Sequence, residues 1–168
     1  DENGPICLAG LMGGNDSEIS DSTTSVLLEA AIFDPSTLRK TATRLGLTSE
    51  ASKRFYHGLA KVRLLRALSQ ALKQLEEMGG KVSFLTLKGS FEDKRPNIPL
   101  TLEKTNSLVG VEFNNGEIED YLKKLNFEVK TAGNGWMVTP PYYRLDINIE
   151  EDVIEEVARM YGYEKIKP

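Results

Sequence analysis

The sequence is poor in the residues that form cross-links and bind soft metals. It has one cysteine, Cys7, and one histidine, His57, among 168 residues. No disulfide can form within the chain, and the four cysteine or histidine ligands of a structural zinc site are not available. No apolar run approaches the roughly 18 residues of a membrane-spanning helix. These absences exclude a disulfide-rich secreted scaffold and indicate a cytoplasmic protein with no membrane partner.

Positive and negative charges are separated along the chain, although the net charge is only −4. Between Arg39 and Arg66 there are eight Lys or Arg residues and one acid, Glu50, whereas Asp146 to Glu156 holds six acids and no base. The basic stretch serves either solubility or contact with RNA phosphates, and the sequence leaves both readings open. Its first members are Arg39, Lys40, Arg44, Lys53 and Arg54.

The first ninety residues predict alternating strands and helices. Asp34 followed by Pro35 is typical of a helix start, and Gly46 of a helix end. A longer helix is predicted from about residue 49 or 51 to Met78, with a leucine stripe directed to a core. Strands are predicted at Pro5–Leu11, Ser25–Ile32 (as a buried strand) and Val82–Leu87.

The segment 93–99 is charged, contains two prolines and shows no periodicity, so it predicts a linker between two domains. Beyond it we expect a strand at Leu100–Glu103, two short helices, and a hairpin of 127–131 with 135–139. A closing helix follows. This order predicts a small winged-helix-like module, and the whole chain is predicted to be of the α+β class.

The closing helix combines an apolar stripe with three carboxylates, Asp152, Glu155 and Glu156, at spacings of three and four residues. Asp146 lies just upstream. Like charges at this spacing repel, and a hard cation such as Mg²⁺ would relieve the repulsion. From the residues alone a solvated acidic face is the favoured interpretation, because runs of charge usually are solvated.

Two other features of the sequence, a glycine-rich turn and the single histidine, are relevant to catalysis. The glycine-rich turn Gly10–Gly14 lacks the spacing of a dinucleotide fingerprint and the Gly-Lys-Ser/Thr of a phosphate loop. It is either a plain turn or a backbone wall that lets a ligand approach closely. His57 has no accompanying nucleophile motif, so no catalytic triad is predicted.

Four strings together resemble the β subunit of bacterial phenylalanine–tRNA ligase, in the same order and with matching spacing. They are Gly10–Glu18, Leu27–Pro35, Arg44–Phe55 and Asp146–Gly162. The resemblance covers essentially the whole chain and implies that it is a piece of a longer protein. Residues 1–90 would be the C-terminal half of a tRNA-editing domain, and residues 96–168 the small DNA-binding-like module that follows it.

The resemblance also implies two sets of site residues. An editing pocket, which hydrolyses mischarged tyrosyl-tRNA, would include Gly13, Glu29, Ser49 and Ala51. A magnesium ion shared with the α subunit would be held by Asp146, Asp152, Glu155 and Glu156. Ser49 stands where the family usually has threonine, so a hydroxyl is kept. The family's editing histidine would lie before residue 1, and His57 does not replace it.

The implied function is therefore that of one part of an ATP-dependent ligase that attaches phenylalanine to tRNA and edits tyrosyl-tRNA. ATP would bind only to the intact enzyme, whose partners would be the α subunit and tRNA. The isolated chain is expected to be inactive in both reactions. Two alternatives from other classes remain: a non-enzymatic nucleic-acid-binding module, and a scaffold for subunit packing.

Overall fold

The structure, a computed structural model, describes residues 2, 4–90, 92 and 94–166. It divides between residues 92 and 93 into two compact units, which we call the first and second unit. Helices combine with small antiparallel sheets in both, so the predicted α+β class is confirmed. None of the helices within the described ranges is long and apolar enough to cross a membrane.

Among its described residues the first unit has one short hairpin, a 3-10 turn at Asn15–Ser17 and three α-helices. Strand β1 pairs with β2 in antiparallel fashion, with Cys7 opposite Gly13. Its small core of Leu11, Leu38 and Ala42 is covered by Phe33, Phe55 and Tyr56. The elements are β1 (Cys7–Leu8), β2 (Met12–Gly13), α1 (Pro35–Leu45), α2 (Glu50–Phe55) and α3 (Lys61–Glu77).

The ends of α1 are formed by the residues that the sequence indicated. The Asp34 carboxylate accepts a hydrogen bond from the Thr37 backbone N–H at 2.7 Å. Gly46 ends the helix in the left-handed conformation, at φ 64°. That conformation is strained for residues with a Cβ, which explains the stop at this position.

Two predicted strands of the first unit are wrong. The segments 25–32 and 82–87 have no regular structure, and their apolar side chains are exposed, with Leu27 81% and Phe84 73% accessible. A strand forms only when its backbone groups find a partner ladder. Within the described residues neither segment pairs with another strand.

The predicted long helix is also wrong, because it is interrupted between α2 and α3. Gly58 adopts φ 76° and its N–H bonds the carbonyl of Phe55 at 3.0 Å, which turns the chain out of the helix. Helix α3 then begins at Lys61 and has no buried residue among those described. Its leucine stripe therefore does not form the predicted core.

The second unit packs three helices on a three-stranded antiparallel sheet in the order β3-β5-β4. Residues from the three helices, β3 and β5 form one buried core, and Val129 of β4 packs against it. The core includes Leu100, Ile118, Leu122, Trp136, Val138, Val153 and Val157. The predicted hairpin is confirmed. The elements are β3 (Ile98–Thr101), α4 (Leu102–Val109), α5 (Asn115–Lys124), β4 (Glu128–Ala132), β5 (Gly135–Thr139) and α6 (Glu150–Tyr161).

The strand predicted at Leu100–Glu103 lies two residues closer to the N-terminus, at Ile98–Thr101, and helix α4 starts directly after it. The Thr101 hydroxyl accepts a hydrogen bond from the Lys104 backbone N–H, so Thr101 is the N-cap. Asn114 and Glu117 form a reciprocal capping box at the start of α5, with bonds of 3.1 and 2.9 Å. These caps fix where sheet and helices meet in the second unit.

A titratable contact in this core allows a pH prediction. Glu119 accepts hydrogen bonds from Lys123 at 2.7 Å and from the Trp136 indole N–H at 2.9 Å. The bond from Lys123, followed by that from Trp136, holds the pKa of Glu119 below the ordinary glutamate value of 4.5. A depressed carboxylate pKa contributes stability above 4.5 that is lost as the pH falls through the lowered pKa.

We expect the Trp136 indole N–H signal in NMR spectra to shift with a midpoint below pH 4.5. Trp136 is the only tryptophan, so the signal is unambiguous. Glu119→Gln keeps an acceptor oxygen but removes the charge and should abolish the titration. Glu103→Gln, at an exposed position on α4, should leave the titration as it is; a midpoint at or above 4.5 in the wild type contradicts the prediction.

Candidate functional site

The first unit has an open cleft of about 310 Å³, a size typical of sites for small ligands. Three stretches that lie far apart in the chain form its walls: the β1–β2 hairpin, the segment 29–33 and helix α2. The lining residues are Cys7, Leu8, Gly10, Leu11, Met12, Gly13, Glu29, Ala31, Phe33, Ala51 and Phe55.

The hairpin is held against the cleft by a close backbone approach at Gly10. This residue adopts φ 71°, and a Cβ there would lie 2.4 Å from Leu38 and 2.7 Å from Phe33. Phe33 in turn meets Phe55 edge-to-face, with ring centroids 5.0 Å apart. The aromatic wall and the glycine turn are thus parts of one packing arrangement.

Three of the four residues predicted for an editing pocket line this cleft: Gly13, Glu29 and Ala51. The fourth, Ser49, is not in the lining. Its hydroxyl accepts a hydrogen bond from the Ser52 N–H at 3.1 Å and so caps helix α2. Ser49 supports the cleft by fixing the start of the helix that carries Ala51.

Sequence reasoning missed Cys7, Phe33 and Phe55 as lining residues. Phe33 directly precedes the helix cap Asp34, and Phe55 ends α2, so both were located near helix boundaries rather than near a pocket. Only the approach of the two rings in three dimensions reveals the wall. His57 is exposed and is not among the residues that line the cleft.

Glu29 is the residue of the cleft whose carboxylate oxygens are available to accept hydrogen bonds. Its side chain is exposed, and among the described residues no hydrogen bond or ion pair engages it. An ionised glutamate has two acceptor oxygens and no donor. Within an otherwise apolar wall it can therefore select a ligand that carries a hydroxyl or amine donor.

The basic stretch near the cleft is partly engaged within the chain. The Arg39 guanidinium donates to the Tyr56 carbonyl at 2.8 Å and lies 5.9 Å from the centre of the Tyr56 ring. Lys53 pairs with Glu50 at 2.7 Å, with both side chains exposed. Lys40, Arg44 and Arg54 are exposed on α1 and α2.

Neighbouring glycines of the hairpin allow a test of the cleft's backbone. A Cβ at Gly13 would meet nothing within 4 Å, whereas a Cβ at Gly14 would lie 2.6 Å from the Ile6 carbonyl oxygen. We expect Gly13→Ala to change the free energy of unfolding by less than about 0.5 kcal/mol. Gly14→Ala should destabilise the first unit by about 1–3 kcal/mol.

Urea unfolding followed by circular dichroism measures both variants against the wild type. Equal destabilisation by the two substitutions would show that the hairpin is packed differently from the arrangement described.

The second predicted site, the four carboxylates near α6, has a different character because an arginine lies among them. Arg144 donates to Asp146 through Nε at 2.9 Å and through Nη2 at 2.6 Å. The same Nη2 donates to Glu156 Oε1 at 2.9 Å, and Arg159 bonds the other oxygen of Glu156. Glu156 is buried, at 5% exposure, and does not lie on an open acidic face as expected.

The remaining two carboxylates, Asp152 and Glu155, lie in different environments. Asp152 accepts hydrogen bonds from the N–H groups of Asn148 and Ile149, at 2.8 and 3.0 Å, and so caps α6. Glu155 is exposed to solvent. Within the described ranges no group of three or more His, Cys, Asp or Glu side chains is arranged to hold a metal ion.

In this arrangement the four carboxylates make bonds within the chain that a magnesium ion would have to replace. A hard cation takes oxygen ligands, but each oxygen of Glu156 already accepts a bond from a guanidinium, and Arg144 also holds both oxygens of Asp146. Burial raises the pKa of Glu156, yet the bonds and charges of Arg144 and Arg159 outweigh it and hold that pKa below its usual range. Magnesium binding by these residues stays a prediction.

Glu155 and Glu156 form a matched pair for testing the ion network. Removal of the buried Glu156 carboxylate takes the acceptor from Arg159 and leaves Arg144 with Asp146 alone, whereas removal of an exposed carboxylate leaves nothing unpaired. We expect Glu156→Ala to lower the free energy of unfolding of the second unit by about 2–3 kcal/mol. Glu155→Ala should change it by less than about 0.5 kcal/mol.

Trp136 fluorescence during urea unfolding reports on the second unit and measures both variants. A small effect of Glu156→Ala, close to that of Glu155→Ala, would contradict the network.

Comparison with known proteins assigns both units to one class. A family model described as "B3/4 domain" matches residues 1–80, and one described as "tRNA synthetase B5 domain" matches residues 98–163. The fold and these matches together define a segment of an aminoacyl-tRNA synthetase.

The family is that of the phenylalanine–tRNA ligase β subunit, to one segment of which the chain is homologous. It is 42% identical to the β subunit of Staphylococcus haemolyticus and 41% to that of Lactococcus lactis, each over 96% of this chain. It is 38% identical to that of Protochlamydia amoebophila over 99% of this chain. The chain spans about one-fifth of the length of these relatives, 20–21%. The resemblance read from the sequence is confirmed.

One solved structure is also similar in sequence, a crystal structure of an N-terminal fragment of the phenylalanyl-tRNA synthetase β subunit from Pyrococcus horikoshii. It is 31% identical and covers 42% of this chain and 20% of that chain, with a TM-score of 0.38. A TM-score this low does not establish a shared fold.

Proposed function

We propose that the cleft of the first unit is the amino-acid-binding part of a hydrolytic editing site in a phenylalanine–tRNA ligase. The observation that supports this proposal most is the convergence of Gly13, Glu29 and Ala51 on one cleft from three distant stretches of the chain. The intact ligase, with its α subunit, ATP and tRNA, would charge phenylalanine in the cytoplasm, and this segment would act on mischarged tyrosyl-tRNA.

The shape and polarity of the cleft suit a tyrosyl group. Phe33 and Phe55 offer ring edges and faces against which an aromatic side chain packs. Glu29 offers an acceptor for the phenolic hydroxyl. Phenylalanine lacks that donor, so a phenylalanyl group that covered the exposed Glu29 carboxylate would displace water from it without replacing the hydrogen bond, and the site would favour the tyrosyl group.

The reaction itself is ester hydrolysis. Water adds to the carbonyl carbon of the ester, the bond between that carbon and the ribose oxygen breaks, and free tyrosine and tRNA leave. Among the described lining residues no histidine is present to activate the water. The chain's own residues therefore bind and orient the tyrosyl group, and proton transfer would use groups from elsewhere in the parent subunit. No step runs through magnesium.

For the second unit we propose a winged-helix-like module that packs against protein rather than against a duplex. Its helices and hairpin follow the order β3-α4-α5-β4-β5-α6. The first turn of α6 carries Glu150, Glu151 and Asp152, and such acidity opposes contact with phosphates. Salt-dependent binding of an arbitrary DNA duplex by the chain would favour the alternative of a nucleic-acid-binding module.

The editing proposal is tested by Glu29→Ala in the intact parent ligase. Loss of one charge-assisted hydrogen bond should lower kcat/KM for tyrosyl-tRNA hydrolysis by about 10- to 100-fold. Activity on phenylalanyl-tRNA should change far less, because that substrate makes no such bond. Hydrolysis of the two charged tRNAs, measured side by side, gives the ratio.

Glu50→Ala is the matched control, because Glu50 lies on α2 but outside the cleft. It should leave both rates as they are. Unchanged tyrosyl-tRNA hydrolysis by Glu29→Ala would refute the assigned role of Glu29. Deacylation by the isolated 168-residue chain would show that it needs no further residues, against the proposal.

A further inference from the structure

The carboxylate cluster beside α6 already contains a cation of its own. The Arg144 guanidinium contacts Asp146 with two nitrogens and Glu156 with one of them, at 2.6–2.9 Å. Both oxygens of Asp146 accept from it, since Nε donates to Oδ1 and Nη2 to Oδ2, and a longer bond from Nε to Oδ2 at 3.2 Å adds to the pair. A planar guanidinium matches a carboxylate in this two-pronged way, which a point charge does not.

Both the backbone and the side chain of Arg144 are held by contacts with other residues. Its backbone N–H bonds the Pro141 carbonyl at 2.9 Å, which closes a turn. Its side chain is 23% exposed, and the Glu156 side chain that it meets is 7% exposed. The contact thus lies largely out of water, where screening by solvent is weak.

The same contacts attach a segment without helix or strand to α6. Residues 140–149 have no regular element, and the bond from Arg144 joins them to a helix residue twelve positions later. The Asp152 carboxylate holds Asn148 and Ile149 in the same way. A metal ion that took these oxygens would release the segment from its attachment.

We propose that Arg144 is the built-in counter-ion of this cluster, and that a divalent cation binds Asp146 and Glu156 only when it displaces the guanidinium. The acidic spacing that suggests a metal site in the sequence is thus neutralised from within the chain. Glu156 holds either the segment 140–149, through Arg144, or a metal, and Asp146 holds either the Arg144 guanidinium or a metal, so the two states exclude each other.

The experiment titrates the 168-residue chain with Mg²⁺ in a calorimeter and with Mn²⁺ by electron paramagnetic resonance. We expect no saturable binding at this cluster up to about 10 mM, beyond the range of weak protein sites for such ions. Arg144→Gln removes the charge and should bind Mn²⁺ at least about tenfold more tightly, since a nearby like charge opposes a cation. Arg159→Gln is the matched control and should behave as the wild type does, because Arg144 still holds both carboxylates.

A second measurement does not depend on how well the variant folds. The Nε–H proton of Arg144, hydrogen-bonded to Asp146, should give a slowly exchanging NMR signal in the wild type that 10 mM Mg²⁺ leaves unchanged; the concentration is about that of the calorimetric limit. A rise of the melting temperature with Mg²⁺ in the wild type would indicate a preformed site and overturn the proposal. Equal Mn²⁺ affinity of the wild type and Arg144→Gln would overturn it as well.

Discussion

Backbone pairing is the constraint on which this structure depends. In the second unit β5 lies between β3 and β4, so the central strand is paired on both sides, and Leu100, Trp136 and Val138 are buried against the helices. In the first unit the hairpin has two residues in each strand. The apolar segments 25–32 and 82–87 also contain β-branched or aromatic residues, but without a ladder they stay irregular and largely exposed.

The same constraint shapes the cleft. Its floor is the hairpin and its far wall is helix α2, whereas Glu29 and Phe33 come from a segment that no ladder fixes. Phe33 is nevertheless held by its contact with Phe55 and by the Gly10 backbone, which leaves no room for a side chain. The contact of Phe33 with Phe55 therefore fixes this segment in place of strand hydrogen bonds, and it keeps Glu29 at the edge of the cleft.

Local signals in the sequence were sufficient for helix ends and turns. Asp34, Gly46 and the hairpin around Gly133 follow from the conformations that those residues favour. Burial of the segment 25–32 could not be predicted correctly, because pairing depends on residues distant in the chain. The break at Gly58 was missed because the helix start was placed at the capping residues near Ser49, although the leucine stripe begins only at Leu59. The site residues came from the family resemblance, and neither periodicity nor composition would have brought Gly13, Glu29 and Ala51 together.

Carboxylates of the same chemical type have different roles here, and the deciding factor is which donors reach them. Glu155 and Glu156 are neighbours on α6, yet one is solvated and the other accepts from two arginines. The donor Arg144 lies twelve residues away on an irregular segment, so charge spacing along the helix could not reveal it. Glu29 differs from both, because it lines a cleft and its acceptors are unused within the described chain. Glu29 can therefore accept hydrogen bonds from a ligand, because its oxygens make none within the described chain. The denser cluster of acids is less suited to bind a ligand, because its bonds are already made within the protein.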